Sequence, residues 1–402
     1  MAWAEVAVAA TDRPGNRAYG NVVMAALALH GAVATVDARA ETAPEHGVIG
    51  LRYLHYKDQQ DVKVQYPFYN GSEPSTFKRI TAKSPSVFVQ APIGSDWSVE
   101  ASAVTDDVSG ATPRYYTDVS GATPKPGMKD KRTAGDVRVN RHFSRGGVSV
   151  GMSFSDEDDY RSTAASIEGR VSTPDNNTTF SLGFGHSEDE IDPTNEVVVN
   201  EAKRTNEVIA GITQALTPND LVQVNASYAD GRGYFSDPYK TNDRRPERRK
   251  QAAALVRWNH FITGIDATVR AGYRYYQDSF GIAAHTFDAA WVQPVTSWFW
   301  LTPSLRYHSQ SSADFYYDPV MDPAVYPRPL VPMTYSTMDQ RMSAFGAITV
   351  GIKAEVRWAD WTGDVKYERY EQRSDWRSFG TGSPNIDNFR ADSVQVGVSR
   401  KF

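Results

Sequence analysis

Apolar and polar residues alternate one by one along most of this chain. A strict period of two puts every second side chain on one face of a strand and fits no helix. Val148, Val150, Met152 and Phe154 alternate with Ser149, Gly151, Ser153 and Ser155. Ala267, Val269, Ala271, Tyr273 and Tyr275 alternate with Thr268, Arg270, Gly272, Arg274 and Tyr276. The spacing predicts sixteen strands, over 48–57, 78–92, 96–105, 132–143, 147–156, 162–172, 177–187, 203–216, 220–230, 249–261, 265–278, 284–294, 299–310, 339–353, 358–372 and 389–402.

The connections alternate in length. Tight turns at 93–95, 144–146, 173–176, 217–219, 262–264 and 294–298 interleave with long polar stretches at 58–77, 106–131, 188–202, 231–248, 311–338 and 373–388. Short turns on one rim and long loops on the other are the pattern of a transmembrane β-barrel of the bacterial outer membrane. The expected fold class is therefore all-β: a single antiparallel transmembrane barrel of about sixteen strands, with short periplasmic turns and long extracellular loops. After Ala40 no apolar run is long enough for a membrane-spanning helix. Low mean hydropathy agrees with a barrel, because half of each strand faces water. Trp97, Trp258, Trp291, Trp298, Trp300, Trp358 and Trp361 gather at short-turn ends, and Tyr273, Tyr275 and Tyr307 near long-loop ends, as two interfacial girdles would require.

Residues 1–40 read as an export segment. The apolar run Val22–Val36 is too short to span a bilayer and is followed by the small-x-small site Ala38-Arg39-Ala40. Residues 41–402 are expected to form the barrel. The chain has no cysteine, which excludes disulfides and thiolate metal sites, and its net charge of −5 gives no basis for a nucleic-acid partner. The last strand ends on Phe402 with Val394, Val396 and Val398 on one face. Together with Gln395 and Gly397 it resembles the C-terminal insertion signal read by the barrel-assembly machinery, although Arg400 stands where that signal is usually apolar.

Several longer stretches carry a family resemblance: "GVIGLRYLHYKD", "AGDVRVNRHFSRG", "TPNDLVQ", "GRGYFSDPYK", "TPSLRYHSQSSADFYYDP" and "KYERYEQRSDWRSFGTGSP". They resemble a family of proteobacterial outer-membrane proteins catalogued as a domain of unknown function, number three thousand five hundred and seventy. The resemblance runs from about Glu41 to Phe402. It implies an outer-membrane location and, through genes that accompany the family, a place near periplasmic flavin- and redox-linked maturation. It assigns no residue a role.

On the expected inner face lie charges of both signs: Glu100, Arg138, Arg257, Arg270, Arg274, Arg306, Asp364, Lys366 and Glu368. Their strand neighbours are apolar, and a lipid-facing arginine would cost about 2–4 kcal/mol at the midplane. These groups would line a bore or fill it with ion pairs. "NDRRPERRK" offers Arg244, Arg245, Arg248, Arg249 and Lys250 to lipopolysaccharide phosphates. The acidic loops 155–160 and 187–192 fit no EF-hand spacing. "GVSVG" at 147–151 has the G-x-S-x-G pattern, but Ser149 lies within an alternating strand and not on a strand-to-helix turn. No metal, cofactor or catalytic constellation stands out. The leading expectation is a channel for small polar solutes or a membrane component of an extracytoplasmic redox system. A non-conducting receptor or anchoring barrel comes next, and a barrel hydrolase after it.

Overall fold

The structure, a computed structural model, describes residues 42–61, 76–110, 128–194, 196–240, 242–318 and 333–402. The expected export segment lies outside these. Sixteen strands follow in order: β1 Val48–Asp61, β2 Thr76–Ile93, β3 Trp97–Gly110, β4 Met128–Phe143, β5 Gly146–Asp156, β6 Tyr160–Ser172, β7 Thr178–Ile191, β8 Glu201–Thr217, β9 Asp220–Gly233, β10 Arg248–Ile262, β11 Ala267–Asp278, β12 Ala283–Pro294, β13 Phe299–Gln310, β14 Phe345–Trp358, β15 Trp361–Arg373 and β16 Phe389–Lys401. Each pairs antiparallel with its chain neighbours, and β1 closes on β16. Closure leaves no open sheet edge, which is the condition for strands to cross hydrocarbon.

The seam runs without a register shift from Val48↔Lys401 to Gln60↔Phe389. Gly47 and Phe402 extend it by exchanging two backbone hydrogen bonds of 2.9 Å. Phe402 lays its ring against Gly47, where a Cβ would stand 2.4 Å from the ring. That glycine admits the terminal aromatic.

The alternation sorts side chains to two faces. Leu51, Val137, Val150, Met152, Phe184, Val256, Leu305, Val350 and Val396 are exposed on the outside, while Ser149, Ser153, Glu168, Asn225 and Gln395 are buried on the inside. Trp97, Trp258, Trp291, Trp298, Trp358 and Trp361 are exposed at the turn rim. Trp300 is the exception. It pairs with Glu355 on the inner face, and Arg357 stacks over its ring at 4.1 Å.

The strands also depart from expectation in places. The loop rim is not uniformly long: β5–β6 and β11–β12 are joined by three and four residues, 157–159 and 279–282. Asp278 makes the second connection tight by accepting from the backbone N–H of Phe280 and Ile282, both at 3.0 Å, with Gly281 at φ +90°. β14, expected over 339–353, begins at Phe345 and ends at Trp358. Residues 339–344 are drawn out of the ladder by buried ion pairs and a 3-10 turn, Gln340–Met342, capped by the Asp339 carboxylate. The main apolar cluster lies at the loop end, not in mid-barrel. Phe235, Phe280, Ile282, Ala313, Phe315 and Met342 pack there, with Phe280 edge-on to Phe235 and Phe315 at 5.9 and 5.0 Å.

Candidate functional site

The inner wall divides into sectors by side-chain size and charge. On β5–β7 it is built of small residues: Ser149, Gly151, Ser153 and Ser155, then Ser162, Ala164 and Ser166, then Ser181, Gly183, Gly185 and Ser187. On β10–β13 it carries long cations. The cross-strand row Arg257–Gly272–Asp288–Arg306 is flanked by Arg274 above and Arg270 below. Gly272 makes room for Asp288, whose carboxylate oxygens lie 2.7 Å from where a Cβ would be. Arg270 and Arg274 are exposed although they point inward, so they meet the bore and not packed protein. Their cross-strand partners, Asn259, Ala290, Leu255 and Thr286, are neutral.

Below the loop-end ion pairs, the β10–β13 sector sets four arginines against one aspartate. The β3–β8 sector reverses this: Glu100, Asp136, Glu168 and Glu207 stand against Arg138 and Arg170. Arg138 is 3.7 Å from Glu168, and Glu100 accepts from Gln90 and Asn140. Arg274 is the cation that acts on Glu207, and Arg270 acts on Glu355. Among the described residues no atom hydrogen-bonds Glu207 Oε2 or either amide atom of Asn225, and all are buried. The remaining sector, β14–β16 with β1, is internally paired: Lys366–Glu368 at 2.8 Å, Lys353–Glu355 at 2.7 Å, Arg357–Glu355 at 2.5 Å and Arg52–Asp364 at 3.8 Å. The two ideas of a charged bore and an ion-pair filling thus hold in different sectors. Arg52, Asp136, Arg170, Glu207, Asp288 and Glu355 escaped sequence reading, yet the same alternation could have found them.

Above the bore, loops fold inward over the β9–β16 side of the mouth. Residues 234–247 and 333–344 meet in a bridge between Arg244 and Ser336. Asp339 is the hub. It takes Lys240 at 2.7 Å, Arg245 at 2.9 Å and Arg341. Lys240 and Arg341 also reach Asp237, and Arg245 reaches Asp243. Burial alone would raise the Asp339 pKa; Arg341, Lys240 and Arg245 together outweigh it and hold the carboxyl well below the usual carboxylate range. Gln60 of β1 donates to Gln340 and to Asp387, tying in the 374–388 loop.

The basic stretch 242–250 is therefore split. Arg245 and Arg249 are buried and spent on carboxylates, Arg249 on Asp278 at 2.5 Å. This corrects their expected outward role, for two reasons: odd residues of β10 point in, which takes Arg249, and the loop carries Arg245 onto Asp243 and Asp339. Arg244, Arg248 and Lys250 remain exposed. The acidic loops separate likewise. Asp189 is buried with Lys203 at 3.2 Å and Asp159 accepts from Tyr239 at 2.6 Å, and no metal-ligand cluster occurs among the described residues.

Ser149 lies in β5 facing in, donating to Asn140 at 2.6 Å, which is no nucleophile elbow. A Ser–His contact does occur, between Ser98 and His142 at 2.9 Å. Ser98 is buried to 1% exposure, and Asn140 donates to the serine and not to the far side of the imidazole. Together these form a polar network at the turn end rather than a triad, in which the third group orients the base.

The family model described as "Protein of unknown function (DUF3570)" matches residues 19–201 and 195–390. The chain belongs to this family. Among curated proteins none matches it. Of solved structures, it is similar to a bacterial polysaccharide outer membrane secretin at TM-score 0.47 and 8% identity, covering 88% of this chain and 98% of that one. A Pseudomonas aeruginosa FadL homologue matches at TM-score 0.42 and 10% identity over 88% and 90% of the two chains. OccK9 (OpdG) of the same organism matches at 0.44 and 8% over 89% and 98%.

Proposed function

We propose that this DUF3570 barrel sits in the bacterial outer membrane and passes small polar solutes through its bore. One observation carries the reading. The wall at β10–β13 presents four arginines, two of them open to the bore, and the wall across from it at β3–β8 is predominantly acidic. Fixed charges of opposite sign on opposing walls put a field across the bore, and a dipolar or charged solute crosses aligned to it. Single-channel recording in a planar bilayer tests this. Stable steps are expected, with a reversal potential under a salt gradient that moves toward cations when Arg270 and Arg274 become glutamine. A folded barrel that never conducts sinks the reading.

The loop network centred on Asp339 favours a second reading, a barrel whose mouth is held shut and which works through its loops as a receptor or anchor. In that case the wild type is silent, and Asp339→Asn, which releases the loop, begins to conduct. A platform for periplasmic redox proteins rests on the family resemblance alone.

A further inference from the structure

Three arginines stand in one row on the outside of the barrel. Arg204 of β8 is directly opposite Arg232 of β9, and Arg232 is directly opposite Arg248 of β10. All three are exposed, as is Lys250, two residues along the same face. Like charges directly opposite across antiparallel strands repel. Asp230 offsets part of this: it takes Arg248 through two bonds of 2.8 Å and Arg232 at 3.3 Å. Asp230 thus engages two of the four cations. The row is bounded on β7 by Glu188, opposite Arg204.

Its height is as informative as its charge. On β9 the row follows Val224, Ala226 and Tyr228 of the outward apolar face; on β10 it follows Val256, Ala254 and Ala252; on β8, Ile212, Ala210 and Val208. The cations therefore begin where the hydrocarbon-facing surface ends, on the loop side. Tyr228, exposed beneath them, is placed as an interfacial aromatic. Two strand spacings spread the three guanidinium groups over about 10 Å. Arginine forks bind phosphate oxygens in pairs, which lysine does as a point charge.

We propose that Arg204, Arg232, Arg248 and Lys250 form a binding site for the phosphorylated glucosamine headgroup of a lipopolysaccharide molecule lying against β8–β10. The site rests on the outer-membrane placement of the barrel and is independent of whether it conducts. It also moves the anion contact from the 242–250 loop, whose Arg245 and Arg249 are engaged inside, to the wall.

The test uses the full-length barrel refolded in detergent and titrated with three probes, with bound lipid read by native mass spectrometry. The probes are Kdo2-lipid A, the same lipid A stripped of its phosphates, and phosphatidylglycerol. Kdo2-lipid A is expected to half-saturate at a concentration at least tenfold below the other two. Combined Arg204→Gln, Arg232→Gln and Lys250→Gln should erase that preference, while Arg161→Gln, on the outer wall at β6, should keep it. Heat-resistant migration in cold detergent gels checks that each variant is folded. Equal binding of stripped lipid A by the wild type overturns the proposal without any variant. So does equal binding of phosphatidylglycerol, or a folded triple variant that retains the preference.

Discussion

Asp339 shows how much one buried carboxylate organises. Three cations converge on it, and neutralising one member of such a group leaves the others buried and uncompensated, which costs about 3–5 kcal/mol. Asp339→Asn is expected to release the 234–247 loop, read as trypsin cleavage after Lys240, whose ammonium is buried against Asp237 and Asp339 in the wild type. The pH dependence has a definite sign. The folded pKa lies below the unfolded carboxylate value of about 3.9, so this contribution is fully present above that value. It is lost as pH falls through the lower folded pKa. Protease resistance of the loop should hold at pH 5 and fail only under strong acid; loss near pH 5 would contradict the assignment of Asp339 as hub.

At the scale of the strand, adjacent residues live in different solvents. Met152 is 64% exposed on the outer face of β5, and Ser153 beside it is buried inside. Met152→Arg should therefore destabilise the barrel by about 2–4 kcal/mol in urea titrations of liposome-embedded protein. Gln90→Arg, on the inner face of β2 opposite Glu100, should stay within about 0.5 kcal/mol. Equal costs at the two positions would mean that the outer face is not in lipid. The period of two made this sorting legible: every residue expected inside, from Glu100 to Glu368, lies on the inner phase of its strand. The pattern failed where side-chain partners outbid the ladder. At 339–344 the residues could continue a strand, but Asp339, Gln340 and Ser343 find buried partners off it. In 242–250 charge density suggested one outward surface, whereas strand phase sends Arg249 in and Arg248 and Lys250 out, and the loop ion pairs bury Arg245.

For the molecule as a whole, closure depends on the two chain ends meeting. The Phe402 ring fills the space over Gly47, and the backbone of the two residues completes the seam. If Phe402 also serves the assembly machinery, Phe402→Ala should lower the amount of folded barrel in cells several-fold while barrel refolded from urea still forms. Equal yields in cells would remove the signal role and leave only the packing one.

Strand number, antiparallel order, the division into outward-facing and inward-facing residues and the turn rim all follow from alternation and turn chemistry. These are local: a residue's face is set by its neighbours one and two positions away. What the bore looks like is not local. That Arg274 of β11 meets Glu207 of β8, that Arg270 meets Glu355 of β14, and that Asp339 gathers Lys240 and Arg245 from the 234–247 loop, depends on how a closed sheet brings its sides together. The arginine row Arg204–Arg232–Arg248 is of the same kind, since it exists only in the register that β8, β9 and β10 adopt on pairing.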